Sequence, residues 1–144
     1  MGAGLILETT FLVDLEREAR RGVPGVAQEA LGRLASDRLF VTFTVAGELA
    51  AGASLSDRAA WEAFLAPFHV LPGTPDVWWE YGKAFRHLQQ NGLLIGANDL
   101  WIAATGLAHG MPVVTANAEH YRRVPGLEVV AYRSRGGPGR APGP

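Results

Sequence analysis

No two β-like runs in this chain are joined by a hairpin turn; each is followed by a stretch of helical periodicity. Strands separated this way need right-handed crossovers, which means a parallel sheet. The apolar run at 4–7 precedes helical spacing over 11–21, with Phe11, Leu12 and Leu15 on one face and Asp14, Arg17, Glu18 and Arg21 on the other. Thr9 or Thr10 is expected to cap this helix and Gly22 to stop it. A second helix after Pro24 uses Val26, Ala27, Ala30, Leu31 and Leu34, and 39–43 reads as the next strand. Thr44 is expected to cap a short helix that carries Glu48. A helix over 57–66, with Trp61, Phe64 and Leu65 inward, leads to a strand at 68–71. Thr74-Pro75 opens a further helix with Trp78, Tyr81, Phe85 and Leu88 on one stripe. The prediction is an α/β fold, a central parallel sheet of four to five strands with helices on both faces.

The stretch 96–117 is the most informative part. Asn98 is a good N-cap, Asp99 falls in the first turn where the helix dipole favours an anion, and residues 100–108 are apolar or small almost throughout. Gly110 closes this buried helix, and 112–115 is short enough for a strand. A short helical turn at 119–122 and a last strand at 127–131 follow. The segment 133–144 has no apolar residue larger than Ala or Pro and is expected to be a disordered Gly/Pro/Arg tail, leaving one domain at 1–132.

Composition narrows the chemistry. There is no cysteine, which excludes a thiol nucleophile or thiolate metal site and fits a cytoplasmic location. No run is long and apolar enough to span a bilayer. The net charge of −1 advertises no polyanion globally, although every cation but Lys83 is Arg, the better phosphate fork.

Three acids occupy comparable places: Glu8 after the first strand, Glu48 on the helix after the second, and Asp99 at its helix mouth. Parallel strands aim their C-terminal ends the same way, so these groups can converge, with Asn117 joining from beyond a fourth strand. Oxygen donors of this kind suit Mg²⁺ or Mn²⁺. Each acid also has an ordinary reading alone: Glu8 as a helix cap or solvated strand end, Glu48 as an exposed helix residue, Asp99 as a dipole-stabilising acid.

Residues 93–110 (Leu-Leu-Ile-Gly-Ala-Asn-Asp-Leu-Trp-Ile-Ala-Ala-Thr-Gly-Leu-Ala-His-Gly) resemble the third-acid segment of PIN-domain proteins of the VapC toxin type, the endoribonuclease half of bacterial toxin–antitoxin pairs. Residues 113–127 are similar to the segment that follows. Residues 5–15 (Leu-Ile-Leu-Glu-Thr-Thr-Phe-Leu-Val-Asp-Leu) are similar to the family's opening strand, and 44–49 (Thr-Val-Ala-Gly-Glu-Leu) to its second-acid segment. The resemblance implies a PIN-like three-layer sandwich in which Glu8, Glu48 and Asp99 are catalytic acids that hold Mg²⁺ or Mn²⁺. Asn117 stands where many members have a fourth Asp, and Thr115 helps hold that corner. Glu8 replaces the usual Asp, and Asn117 removes a negative charge.

The implied reaction is hydrolysis of an RNA phosphodiester by metal-activated water, with Arg17, Arg20, Arg86 and Arg122 as candidate phosphate contacts. Implied partners are an RNA substrate, a cognate antitoxin protein and a second copy of the chain, with no membrane. Trp79, turned about 100° from Trp78 along the helix, is the better interface candidate, and Trp78 is expected in the core. The alternative keeps the fold without cutting: a weak or inactive PIN-like module that binds RNA or protein. A receiver-type signalling domain is set aside because its site needs a Lys at a late strand end, and Lys83 lies inside a helix.

Overall fold

A computed structural model describes residues 4–34 and 38–133. Five parallel strands form one sheet: β1 (Gly4–Leu7), β2 (Arg38–Thr42), β3 (His69–Leu71), β4 (Val113–Thr115) and β5 (Val129–Ala131). Their order across the sheet is β3-β2-β1-β4-β5, parallel at every pairing. The chain therefore builds outward from β1 through β2 to β3, then returns to the other side of β1 with β4 and β5. With right-handed crossovers this reversal sends helices to both faces and leaves a topological switch point between β1 and β4.

Seven α-helices flank the sheet among the described residues: α1 (Thr9–Arg21), α2 (Val26–Leu34), α3 (Phe43–Ala51), α4 (Arg58–Leu65), α5 (Pro75–Gln90), α6 (Ala97–His109) and α7 (Ala118–Tyr121). The core is centred on β1 and β4, whose residues are buried throughout, with Phe11, Leu12, Val45, Leu88, Leu100 and Ile102 packed around them. Gly106 lets α6 approach closely, since a Cβ there would stand 2.9 Å from Leu127 and 3.0 Å from the Met111 carbonyl oxygen. Gly110 ends α6 in the left-handed conformation at φ 63°. No described helix is long and apolar enough to cross a membrane.

Four expectations are corrected. Helix α1 is capped by Glu8 itself, whose side chain accepts from the Thr10 N–H, and not by Thr9 or Thr10. β2 ends one residue early, and Thr42, still extended, caps α3 at the Val45 N–H where Thr44 was expected. Gly96, not Asn98, is the N-cap of α6, so Asn98 lies inside the first turn with its amide free to reach elsewhere. In α5 the buried stripe is Val77, Ala84 and Leu88, and Trp78 is 58% exposed. Small Ala84 sits where α5 packs against α6, while the indole is carried out of the core.

Glu18, expected to face solvent, accepts from the N–H groups of Gly25, Ala27 and Gln28, placing an anion at the start of α2. Arg133, first residue of the expected tail, places its Nε 3.0 Å from Asp14. Residues 134–144 lie outside the described residues.

Candidate active site

Each acid reaches the C-terminal edge of the sheet by a different local route. Glu8 follows β1 directly. Its backbone is extended, so its carboxylate turns back over the first turn of α1 as a cap. It is only 3% exposed, and Oε1 accepts three hydrogen bonds: from the Thr10 N–H at 3.1 Å, the Thr10 hydroxyl at 2.6 Å and the Thr115 hydroxyl at 2.6 Å. Thr115 is the last residue of β4, so this carboxylate ties together the two strands of the switch point. Thr115 also accepts from the Asn117 N–H at 2.8 Å, and the Thr10 hydroxyl accepts from the Ala116 N–H at 3.0 Å.

Glu48 stands on the second turn of α3 and is half-buried. Its oxygens are held from two other elements: the Thr9 hydroxyl donates to Oε1 at 2.5 Å, and the Asn98 amide donates to Oε2 at 3.1 Å. That second bond explains why Asn98 does not cap α6. Asp99, next along α6, accepts from the Tyr121 hydroxyl at 3.1 Å.

Asp99 lies near enough to feel Glu48 and to act on Glu8. Burial raises the Glu8 carboxyl above its ordinary value against the pull of its hydrogen bonds, and the charge of Asp99 raises it further. Burial likewise raises Asp99; the Tyr121 hydrogen bond and His120 lower it, and the charge of Glu48 adds to the rise. Tyr121, wholly buried, is pushed far above the ordinary phenol range by burial and by Glu8 and Asp99, so it remains a proton donor to them. Its partner Asp99 lies 22 residues back in the sequence, so no local spacing marks this hydroxyl.

Asn117 is the N-cap of α7, and its amide nitrogen lies 2.8 Å from Nδ1 of His120 on that helix. The Asn117 N–H donates to the Thr115 hydroxyl, which in turn donates to Glu8. Asp14 lies outside this cluster, bonded to the Tyr132 hydroxyl and Arg133. Of the four arginines expected near phosphate, Arg17 pairs with Asp14, Arg20 with Glu16, and Arg86 lies over the Trp79 ring. Arg122 alone of the four lines a recess shared with Asn117.

The donor set fits a hard divalent cation: three carboxylates supply oxygen only, and like charges in a partly dry cleft are relieved by a cation between them. As they stand, no three acid or imidazole side chains among the described residues are gathered tightly enough to enclose an ion.

Known proteins share this arrangement of elements. The PIN domain family model matches residues 5–127. Ribonuclease VapC1 of Haemophilus influenzae strain R2866 is 31% identical over 129 residues, 85% of this chain and 93% of that protein. Ribonuclease VapC1 of Rickettsia felis is 32% identical over 68 residues, 47% of this chain and 51% of that protein. The solved structure of VapBC-1 from nontypeable Haemophilus influenzae superposes with a TM-score of 0.76 at 27% identity, covering 90% of this chain and 98% of that one. With the family model spanning most of its length and the sheet order, helices and acids described above, this chain belongs to the PIN-domain family.

Proposed function

We propose that this protein is a divalent-metal-dependent endoribonuclease of the VapC toxin type, with Glu8, Glu48 and Asp99 holding Mg²⁺ or Mn²⁺ and Asn117 completing the catalytic group. What supports this reading is the placement of three carboxylates at one sheet edge, Glu8 after β1, Glu48 on α3 and Asp99 on α6, with Thr9 and Asn98 bonding Glu48 to the residues beside the other two. The ribonuclease names of its relatives support it. When bound, the cation supplies a water of lowered pKa and neutralises charge at the attacked phosphate. Glu48, the half-exposed glutamate, takes the proton of the attacking water, oriented by Thr9 and Asn98. Asp99 is held in place by Tyr121, and Asn117 keeps the Thr115 hydroxyl directed at Glu8 by donating its N–H to the same oxygen. The test is incubation of purified protein with structured RNAs in Mg²⁺ or EDTA; cleavage that survives chelation, or survives Asp99→Ala, overturns the mechanism.

The partners follow the same reading: a cognate antitoxin protein, since the structural neighbours are VapBC complexes, and a second copy of the chain, in the cytoplasm. Trp79, 63% exposed, supports the self-contact. Trp79→Asp is expected to shift the solution mass toward monomer; an unchanged mass removes Trp79 from the interface.

A second reading, a PIN-like module that binds RNA or protein without cutting, is favoured by one observation: Glu8 Oε1 is already occupied as a helix cap by three donors. Titration with Mn²⁺ separates the two, because a non-cutting module shows no binding that depends on Asp99.

A further inference from the structure

The order of elements along the C-terminal edge places two unlike recesses on either side of the acids. Beside Glu48, on the β2 side, a recess of about 450 Å³ is lined by Phe43, Thr44, Gly47, Glu48, Ala51, Asn98 and Trp101. Phe43 is 38% exposed and meets Trp101 edge-on at 6.1 Å, while Trp101 is backed by Tyr81 stacked at 3.9 Å. One wall is thus a braced aromatic surface. The opposite wall is polar, built from Glu48, Asn98 and Thr44. The Thr44 hydroxyl is the one buried side-chain polar atom among the described residues without a hydrogen-bond partner. A helical threonine has two accessible rotamers, so this hydroxyl can turn to meet a ligand.

Beyond Asn117, on the β4–β5 side, a recess of about 260 Å³ is lined by Asn117, Glu119, Arg122 and Arg133 among alanines. Arg133 is engaged by Asp14. Arg122 makes no ion pair among the described residues, so its guanidinium is open to an anion in this recess, with Glu119 as the one acid of the lining. A polyanion brought to three carboxylates is repelled unless cations flank them, and this recess supplies such a cation beside the proposed site.

We propose that the RNA strand lies along the sheet edge, one nucleobase stacked on the exposed Phe43 ring in the recess that Trp101 walls, and a flanking phosphate at Arg122 and Arg133. The inference rests on the ribonuclease reading and adds the substrate's direction and two subsites to it. Sheet order fixes the path: Phe43 follows β2, Glu8 follows β1, Asn117 follows β4 and Arg133 follows β5. Three strand spacings separate the two ends, about 14 Å. A base suits the first recess because it combines an aromatic face for stacking with amide, hydroxyl and carboxylate groups for a polar edge. Access to an aromatic face of this kind requires single-stranded RNA, since a paired base cannot leave its stack freely.

The test uses the full-length protein and a fluorescein-labelled single-stranded RNA of about ten nucleotides, followed by anisotropy in EDTA. Phe43→Ala is expected to weaken binding about tenfold, Phe43→Leu to do the same, and Phe43→Tyr to bind as the parent does. An RNA abasic at one position reproduces the loss with the unaltered protein and adds nothing further in Phe43→Ala, which a folding defect would not produce. Arg122→Gln lowers the slope of log affinity against log salt by about 0.7 and leaves the abasic effect intact. Phe43→Ala binding RNA as the parent does, an abasic loss that persists unchanged in Phe43→Ala, or no RNA binding by the parent overturns the inference. A Phe43 defect confined to capture of a partner protein also overturns it and assigns the recess to a protein side chain. Cleavage in Mg²⁺ reads the underlying function separately: cleavage with Phe43-independent binding sinks the subsite alone, and Phe43-dependent binding without cleavage sinks the ribonuclease reading alone.

Discussion

Glu8 and Glu48 are the same residue type at the same edge of the same sheet, yet the fold treats them differently. Glu8 is buried, caps a helix and accepts three hydrogen bonds on one oxygen, two of them from the residue two places along and one from the far strand of the switch point. Glu48 is half-buried and held by single bonds from side chains on two other helices. The first is part of the architecture as well as the proposed site; the second belongs to the site. A carboxylate that the fold depends on cannot turn to a ligand without disturbing a helix start and a strand end, whereas one suspended between side chains can.

The comparison is broken most forcefully at Glu48. Glu48→Ala is expected to reduce RNA cleavage by about 100-fold or more while changing unfolding free energy by less than about 1 kcal/mol, read by cleavage assay and urea denaturation on the same preparation. Glu8→Ala is expected to lower both, with a stability loss of about 2–3 kcal/mol because a cap is lost and the Thr115 hydroxyl is left buried without its acceptor. Equal stability losses in the two variants would erase the distinction. Thr115→Val sharpens it further: it removes a hydroxyl that donates to Glu8 and accepts from the Asn117 N–H, and is expected to cost about 1–2 kcal/mol by the same denaturation. Asn98→Ala should be the mildest, within about 0.5 kcal/mol in stability, because its only described side-chain bond is an exposed one to Glu48.

The element pattern was legible because strand and helix periods differ and no hairpin signal competed. The positions of Glu8, Glu48 and Asp99 relative to strand ends followed from that pattern, and the structure brings all three to one edge. What local reading missed depends on partners distant in sequence. Asn98 and Gly96 are both acceptable caps; the choice falls to Gly96 because the Asn98 amide finds Glu48 across the site. Trp78 and Val77 both fit a helical stripe in α5, and the close approach of α6 favours the face with Val77 and Ala84 over the one with the bulky indole. The hydroxyl of Tyr121 serves Asp99 because α7 returns to the mouth of α6, a long-range placement that no local spacing encodes.

Glu8, Glu48 and Asp99 are proposed to hold one divalent cation between them. Calorimetric titration of Mn²⁺ into the unaltered protein and into Glu8→Gln, Glu48→Gln and Asp99→Asn tests it most directly. Saturable binding by the unaltered protein, weakened at least about tenfold by each substitution, is expected. Absence of binding by the unaltered protein, or binding that none of the three substitutions alters, would contradict it.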